Sequence, residues 1–156
     1  MEATTIRSIE ISDVPAVASL LVELARKFIT MEFSQDAEAT FLRKNDAEAI
    51  SGFLRSGYTY WVAEAQGQIV GFIGMRKNSH LYHLFVAEKA QNRGLARALW
   101  NTAKEACCAA GNPGRLTVNS SNNAVAVYES FGFVRTEPTR SLNGILYNPM
   151  ALVVDS

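Results

Sequence analysis

The sequence predicts a single mixed α/β domain, a sheet with helices on its faces, and three observations carry that prediction. "YTYWVAEA" and "QIVGFIGMR" are alternating stretches separated by Gln66 and Gly67, a tight-turn pair, and read as a β-hairpin. "HLYHLFVA" follows, so dense in apolar and aromatic residues that it is expected at the sheet centre. Helical spacing appears on either side of this strand run, in "SDVPAVASLLVELARKF" and again from about Gly94 to Ala110. The 156 residues suit one domain and contain no linker-like stretch.

Taken in order, "TTIRSIEI" alternates into a short first strand. The first helix opens on Ser12 or Asp13 as N-cap with Pro15 in its first turn, where a missing N–H costs little. Leu20, Leu21, Leu24 and Phe28 recur along it at helical spacing. "DAEA" occurs at Asp36 and at Asp46, too short for a repeat, and reads as two short helices capped by aspartate; Gly57 stops the second. After the three central strands, the helix from Gly94 is expected to bury Leu95, Leu99, Thr102, Ala106 and Ala110, with Gly111 closing it and Pro113 beyond. "RLTVNSS" is a strand, "NNAVAVYESF" a helix and "GFVRT" a strand. "GILYNPMALVV" is the last strand, where Pro149 points to an edge or a bulge.

Composition narrows the function. Hydrophobic residues at 48% and charged residues at 19% describe a globular chain, not a disordered one. Fifteen basic and fifteen acidic residues give zero formal charge, which argues against nucleic acid as a main partner. With no signal-like start and no apolar run of about 20 residues, a soluble cytoplasmic protein with no membrane partner is expected. Cys107 and Cys108 are adjacent and read as core or helix-surface thiols; no metal site is expected.

One stretch invites chemistry. "QNRGLAR", Gln91 to Arg97, joins the central strand to a helix. A helix N-terminus presents unpaired N–H groups and the positive end of the backbone dipole. A glycine there lets phosphates approach the backbone, and Arg93 and Arg97 add charge. By itself, the turn is equally a plain connection with solvated arginines, since it has no P-loop Gly-Lys-Ser/Thr.

The wider pattern resembles the GCN5-related N-acetyltransferase (GNAT) superfamily. "Q-N-R-G-L-A" matches its Q/R-x-x-G-x-G/A signature, between the expected strand and helix. "VNSSNNAVAVYESFGFVRT" resembles its second hallmark, "YWVAEAQGQIVGFIGMR" its central hairpin, and "NGILYNPMALVV" the closing strand of one bacterial branch. Asn92 and Ala96 stand where many relatives carry glycine. The resemblance implies a mostly antiparallel mixed sheet splayed at its middle and flanked by helices. Within that fold, residues 80–136 would be the acetyl-CoA core and residues 12–57 a variable helical acceptor region.

It also implies roles. Gln91 would open the loop, and Arg93, Gly94, Leu95, Ala96 and Arg97 would hold the pyrophosphate of acetyl-CoA. Leu84, Phe85 and Val86 would offer backbone groups to the pantetheine arm, with the N–H of Phe85 or a neighbour as oxyanion donor. Asn119 and Asn123 either touch the CoA arm or shape the turn. Tyr128 matches the general acid facing the CoA sulfur; the alternative is a core aromatic. His80 stands where relatives carry a base, and is otherwise a polar strand-end residue. His83, of opposite strand parity, is expected packed or exposed, and Glu64 is an outsider for the base. Phe28, Met31, Phe33 and Phe41 would be the lid or acceptor wall, or ordinary core.

The expected protein is an acetyl-CoA-dependent N-acetyltransferase, moving acetyl directly to a primary amine of a small molecule or peptide in a ternary complex. Alternatives are a non-catalytic acyl-CoA sensor and an acyltransferase using a larger acyl group. Neither cysteine is placed to carry an acyl group. Homodimers are common in the superfamily, and the strand around Pro149 could help form one.

Overall fold

The computed structural model of the protein describes residues 3–154. Eight strands form one sheet in the order β1-β2-β3-β4-β5-β8-β6, with β7 pairing the far end of β8. Strands β1 (Thr4–Ser8), β2 (Thr59–Ala65), β3 (Gln68–Arg76) and β4 (His80–Val86) pair antiparallel in sequence order, each with the next. Gln66 and Gly67 both have positive φ and turn the β2–β3 hairpin. Every residue from Val70 to Met75 of β3 is buried. Both α1 (Val14–Phe28) and α4 (Leu95–Ala109) pack on this strand, so helices cover the two faces of the sheet.

The sheet opens at its middle for a local reason. β4 pairs in parallel with β5 (Arg115–Ser120) at His80↔Thr117 and Leu81↔Val118. On its other side, Leu81 faces Met75 and His83 faces Gly74, which leaves Tyr82 as an extra residue, a β-bulge. A bulge bends and twists its strand. The two strands part at this point. β5 pairs instead along its whole length with β8 (Ile145–Val153).

The N-terminal helices α2 (Gln35–Arg43) and α3 (Ala47–Arg55) form where expected, but their caps differ. Asp46 caps α3, its side chain accepting the Ala49 N–H at 2.8 Å. The cap of α2 is Ser34, accepting from Ala37 N–H at 3.1 Å, and Asp36 lies inside the first turn. Asp13 precedes α1 without capping it; its carboxylate holds the Arg7 guanidinium at 2.8 Å and the Glu10 N–H.

Two expectations for the C-terminal half are corrected. The buried face of α4 is Leu99, Trp100, Ala103 and Cys107; Leu95, Thr102 and Ala106 are half-buried and Ala110 is exposed. The helix is rotated to bring Trp100 against Phe131 and Phe133 near α5 (Val125–Ser130), with ring centroids 6.1 and 5.3 Å away. Pro149 marks neither an edge nor a bulge. It lies in register opposite Asn119, in a strand flanked by β5 and by β6 (Val134–Arg135). The missing N–H falls where β6 ends, and the Pro149 carbonyl still accepts from Thr136 N–H at 3.0 Å. β8 is therefore internal to the sheet at this point. β7 (Arg140–Leu142) was not expected; it folds onto β8 through Asn143 and Gly144, both at positive φ.

Candidate active site

A cavity of about 780 Å³ occupies the gap between β4 and β5. The loop after β4 makes one of its ends. Gln91 folds back so that its Nε2 donates to the Val86 carbonyl at 2.9 Å. Asn92 and Gly94 then take φ of 62° and 78°, left-handed conformations that asparagine and glycine tolerate best. The first ladder bond of α4 runs from Ala98 N–H to the Gly94 carbonyl at 3.0 Å, so the N–H groups of Leu95, Ala96 and Arg97 precede the ladder. A Cβ on Gly94 would meet no protein atom within 4 Å. Within the protein, it is the backbone angle that favours glycine here.

Arg97 donates to the Ser130 carbonyl at 3.0 Å and lies 5.2 Å from the Phe131 ring centroid, tying the start of α4 to the end of α5. Arg93 does not line this cavity. It borders a second one, of about 520 Å³, together with Lys89.

Register settles which backbone groups of β4 are free. The Ala87 N–H donates to Val70 O, so Val86 and Gly71 form a non-hydrogen-bonded pair. By alternation, Leu84 and Val86 turn their backbone groups toward the gap, while those of Phe85 engage β3. The Phe85 N–H is thereby removed as an oxyanion donor, and the neighbouring residues are the ones turned toward the gap. The Val86 carbonyl is already taken by Gln91.

Tyr128, in α5, lines the cavity and is 6% exposed. Its ring packs edge-on against Phe131 and Phe133, and among the described residues its hydroxyl has no hydrogen-bond partner. Burial raises its pKa above the ordinary phenol value. Asn119 and Asn123 are exposed on the same cavity; Asn123 Oδ1 accepts from Ser121 Oγ at 2.7 Å and so helps shape the turn.

His83 is packed, one of the two placements expected for it, but the parity that was to separate it from His80 does not hold. Because of the bulge at Tyr82, His80 and His83 face Arg76 and Gly74, residues of equal parity on β3. They share a face instead of alternating. His83 is buried and fully bonded: Tyr60 Oη lies 2.7 Å from Nδ1, and Asn45 Oδ1 lies 2.7 Å from Nε2. Asn45 Nδ2 donates to the Phe41 carbonyl, so Asn45 Oδ1 is the end that accepts the Nε2–H and Tyr60 donates to Nδ1. With both nitrogens occupied, His83 pins the α2–α3 junction to the sheet. Gly74 makes room for this, since a Cβ there would overlap the Tyr60 ring. His80 is half-buried, with Nδ1 2.7 Å from Thr117 Oγ1; when Nδ1–H donates to that hydroxyl, Nε2 is left as an acceptor. Glu64 bonds Arg7 at 3.4 Å and is not part of the cavity wall.

Burial lowers His80 to about 4, with the Arg76 charge as a second cause, and lowers His83 to about 3. Both values lie below the ordinary 6.5, so the unfolded chain binds more protons as pH falls through that value. Stability is therefore expected to drop as pH falls from about 6.5 toward about 4, by up to ~1.4 kcal/mol per pH unit for buried His83. Urea midpoints at pH 7 and pH 5 measure this, and His83→Gln should flatten the difference.

The deciding observation comes from comparison with known families. The model of the acetyltransferase (GNAT) domain matches residues 29–154. The chain belongs to the GNAT acetyltransferase family. One relative, the mouse probable N-acetyltransferase family 8 member 5, is 29% identical over 113 residues, 65% of this chain and 50% of that protein. The chain spans about half the length of the curated relatives it matches. Among solved structures, a GCN5-related N-acetyltransferase from Rhodopseudomonas palustris superposes with a TM-score of 0.82 at 23% identity, covering 99% of this chain and 98% of that one. The PaiA N-acetyltransferase of Thermoplasma acidophilum, solved in complex with coenzyme A, gives 0.80 at 16% identity, covering 97% and 99%.

Several residues that shape this GNAT cavity went unseen in the sequence. Asn148 of β8 is fully buried: its Oδ1 accepts from Arg135 Nη1 at 2.7 Å and Thr139 Oγ1 at 2.6 Å. Its Nδ2 donates to the Ser120 carbonyl at 3.0 Å and Asn122 Oδ1 at 2.8 Å, fixing the turn that carries Asn119 and Asn123. A lone amide within the apolar run "ILYNPMALV" was the available signal. Thr117, Asn45 and Tyr60 act through partners distant in sequence and gave none. Met31, expected in the acceptor wall, is 71% exposed and does not line the cavity, whereas Phe28, Phe33 and Phe41 do. Among the described residues, no helix is long and apolar enough to cross a membrane, and no group of three or more His, Cys, Asp or Glu is set to hold a metal.

Proposed function

We propose that the protein is an acetyl-CoA-dependent N-acetyltransferase that moves acetyl directly to a primary amine. One observation carries this: the free N-terminus of α4, the unpaired edge of β4 and the Tyr128 side chain all border one cavity. The coenzyme A bound to the Thermoplasma relative is consistent with a thioester donor here. The pyrophosphate would sit at the N–H groups of Leu95, Ala96 and Arg97, within the turn from Gln91 to Arg97. Arg93, outside the cavity wall, would add charge from the other side of the turn. The pantetheine would pair with Leu84 and Val86 as an added strand does, and Asn119 and Asn123 would flank it. Residues 80–136 are thus proposed as the cofactor core and 12–57 as the acceptor region.

The amine arrives as an ammonium with a pKa near ~10 and must lose a proton before it attacks. His80 is neutral at physiological pH and presents Nε2 when Thr117 holds Nδ1. With so low a proton affinity, it passes the proton on through water rather than keeping it. The amine nitrogen then bonds to the acetyl carbon, giving a tetrahedral oxyanion that the Leu84 or Val86 N–H stabilises. The C–S bond breaks, and Tyr128 supplies a proton to the departing sulfur.

Thiol release from acetyl-CoA across a panel of amines, amino acids and peptides, with propionyl-CoA in parallel, tests this. Amine-dependent release is expected. Tight acetyl-CoA binding with no turnover of any acceptor would point instead to a cofactor sensor.

A further inference from the structure

The acceptor end of the cavity is roofed, aromatic and cationic. The β7–β8 hairpin covers it from the C-terminal side: its tip, Gly144, is packed so closely on α2 that a Cβ there would lie 3.1 Å from Ala37 Cβ. Leu142, Ile145 and Tyr147 of the hairpin line the cavity, facing Phe33 and Phe41, whose rings meet edge-on at 5.9 Å. Two polar contacts also tie the N-terminal region across the gap. Glu32 accepts from Asn122 Nδ2 at 3.1 Å, and Lys27 bonds Glu88 at 2.6 Å. Such a covering favours a small acceptor over a folded protein's lysine or a continuing polypeptide.

Charge adds to shape. Lys44, at the C-terminal end of α2, lines this end of the cavity and, among the described residues, pairs with no carboxylate. The other lining cation, Arg97, is engaged with Ser130 at the cofactor end. The described lining residues include no Asp or Glu, so nothing in the wall matches a polyamine.

We propose that the acceptor is a free amino acid with an apolar or aromatic side chain. Its side chain would pack among Phe33, Phe41 and the hairpin, and its carboxylate would pair with Lys44. This rests on the N-acetyltransferase reading above. The α-ammonium loses one proton to solvent, its nitrogen forms the C–N bond, the thioester C–S bond breaks, and CoA leaves as the thiol after a second proton moves from nitrogen to sulfur by way of Tyr128.

Matched acceptors test it: phenylalanine, phenethylamine, and a pentapeptide with N-terminal phenylalanine, each with acetyl-CoA. The highest kcat/KM is expected for phenylalanine, up to about fivefold above phenethylamine, the size of one rim ion pair, and the peptide should be slowest. Lys44→Met should erase the difference between the first two and leave acetyl-CoA affinity unchanged. Preference for phenethylamine or for the peptide, or a ratio untouched by Lys44→Met, overturns the proposal while the transferase reading stands. Release from none of the three also overturns it. If the broader amine panel yields no thiol either, the transferase reading falls with it.

Discussion

Tyr128→Phe is expected to lower kcat by about 10²–10⁴-fold, the range for loss of one general acid, with acetyl-CoA affinity and thermal stability unchanged. The substitution removes one oxygen and nothing else. The ring keeps its edge-on contacts with Phe131 and Phe133, at 6.1 and 5.8 Å, so the small α5 helix keeps its anchor. The hydroxyl has no hydrogen-bond partner among the described residues, so its removal orphans no group and costs little stability. Burial holds the phenol protonated and disfavours the phenolate left after donation. Tyr128 would therefore release its proton only as thiolate charge develops beside it, in the transition state for C–S cleavage. Steady-state kinetics with a saturating acceptor, alongside calorimetric titration of acetyl-CoA, separate the two effects. Equal kcat in the two proteins would reduce Tyr128 to a packing residue.

What could be read in the sequence was what local chemistry writes down. The Gln66-Gly67 turn, the apolar density of "HLYHLFVA" and the cap at Asp46 each depend on neighbours a few residues apart, and each formed as expected. The turn from Gln91 to Arg97 and the frame around Tyr128 stood out only through their resemblance to the GNAT pattern, since the turn by itself also reads as a plain connection. Illegible features depend on partners far along the chain. The bulge at Tyr82 shows only in how β4 pairs with β3, and one extra residue reversed the relation between His80 and His83. Alternation counted along the chain cannot register that reversal. β7 is three exposed residues with no alternation and is a strand only because β8 lies beside it. The four bonds of Asn148 reach Ser120, Asn122, Arg135 and Thr139, none of them nearer than nine positions away. The acceptor chamber is built mainly from such long-range meetings, so its chemistry emerged only in three dimensions.

Gly94→Val and Gly94→Asn are expected to part company in acetyl-CoA binding, and the difference tests what the glycine is for. Gly94 holds φ at 78°, a region a β-branched residue resists. Forcing an L-residue to stay there costs about 1–2 kcal/mol. If the backbone relaxes instead, the N–H groups of Leu95, Ala96 and Arg97 lose their common aim, and a charge-assisted hydrogen bond is worth about 1.5–3 kcal/mol. Loss of one such bond predicts that valine weakens acetyl-CoA binding by about ten- to a hundredfold. Leu99, Trp100, Ala103 and Cys107 remain buried, so α4 itself should persist, as circular dichroism can check. Asparagine tolerates left-handed φ, and a Cβ at this position meets no protein atom within 4 Å. The Gly94→Asn protein would thus keep the turn's shape, and it should retain most of its affinity in calorimetric titration. Loss of binding in both variants with α4 intact would mean that the phosphates approach close enough to exclude any side chain. Unchanged affinity in Gly94→Val would remove the pyrophosphate from this turn, because no anion held by those N–H groups could ignore their displacement.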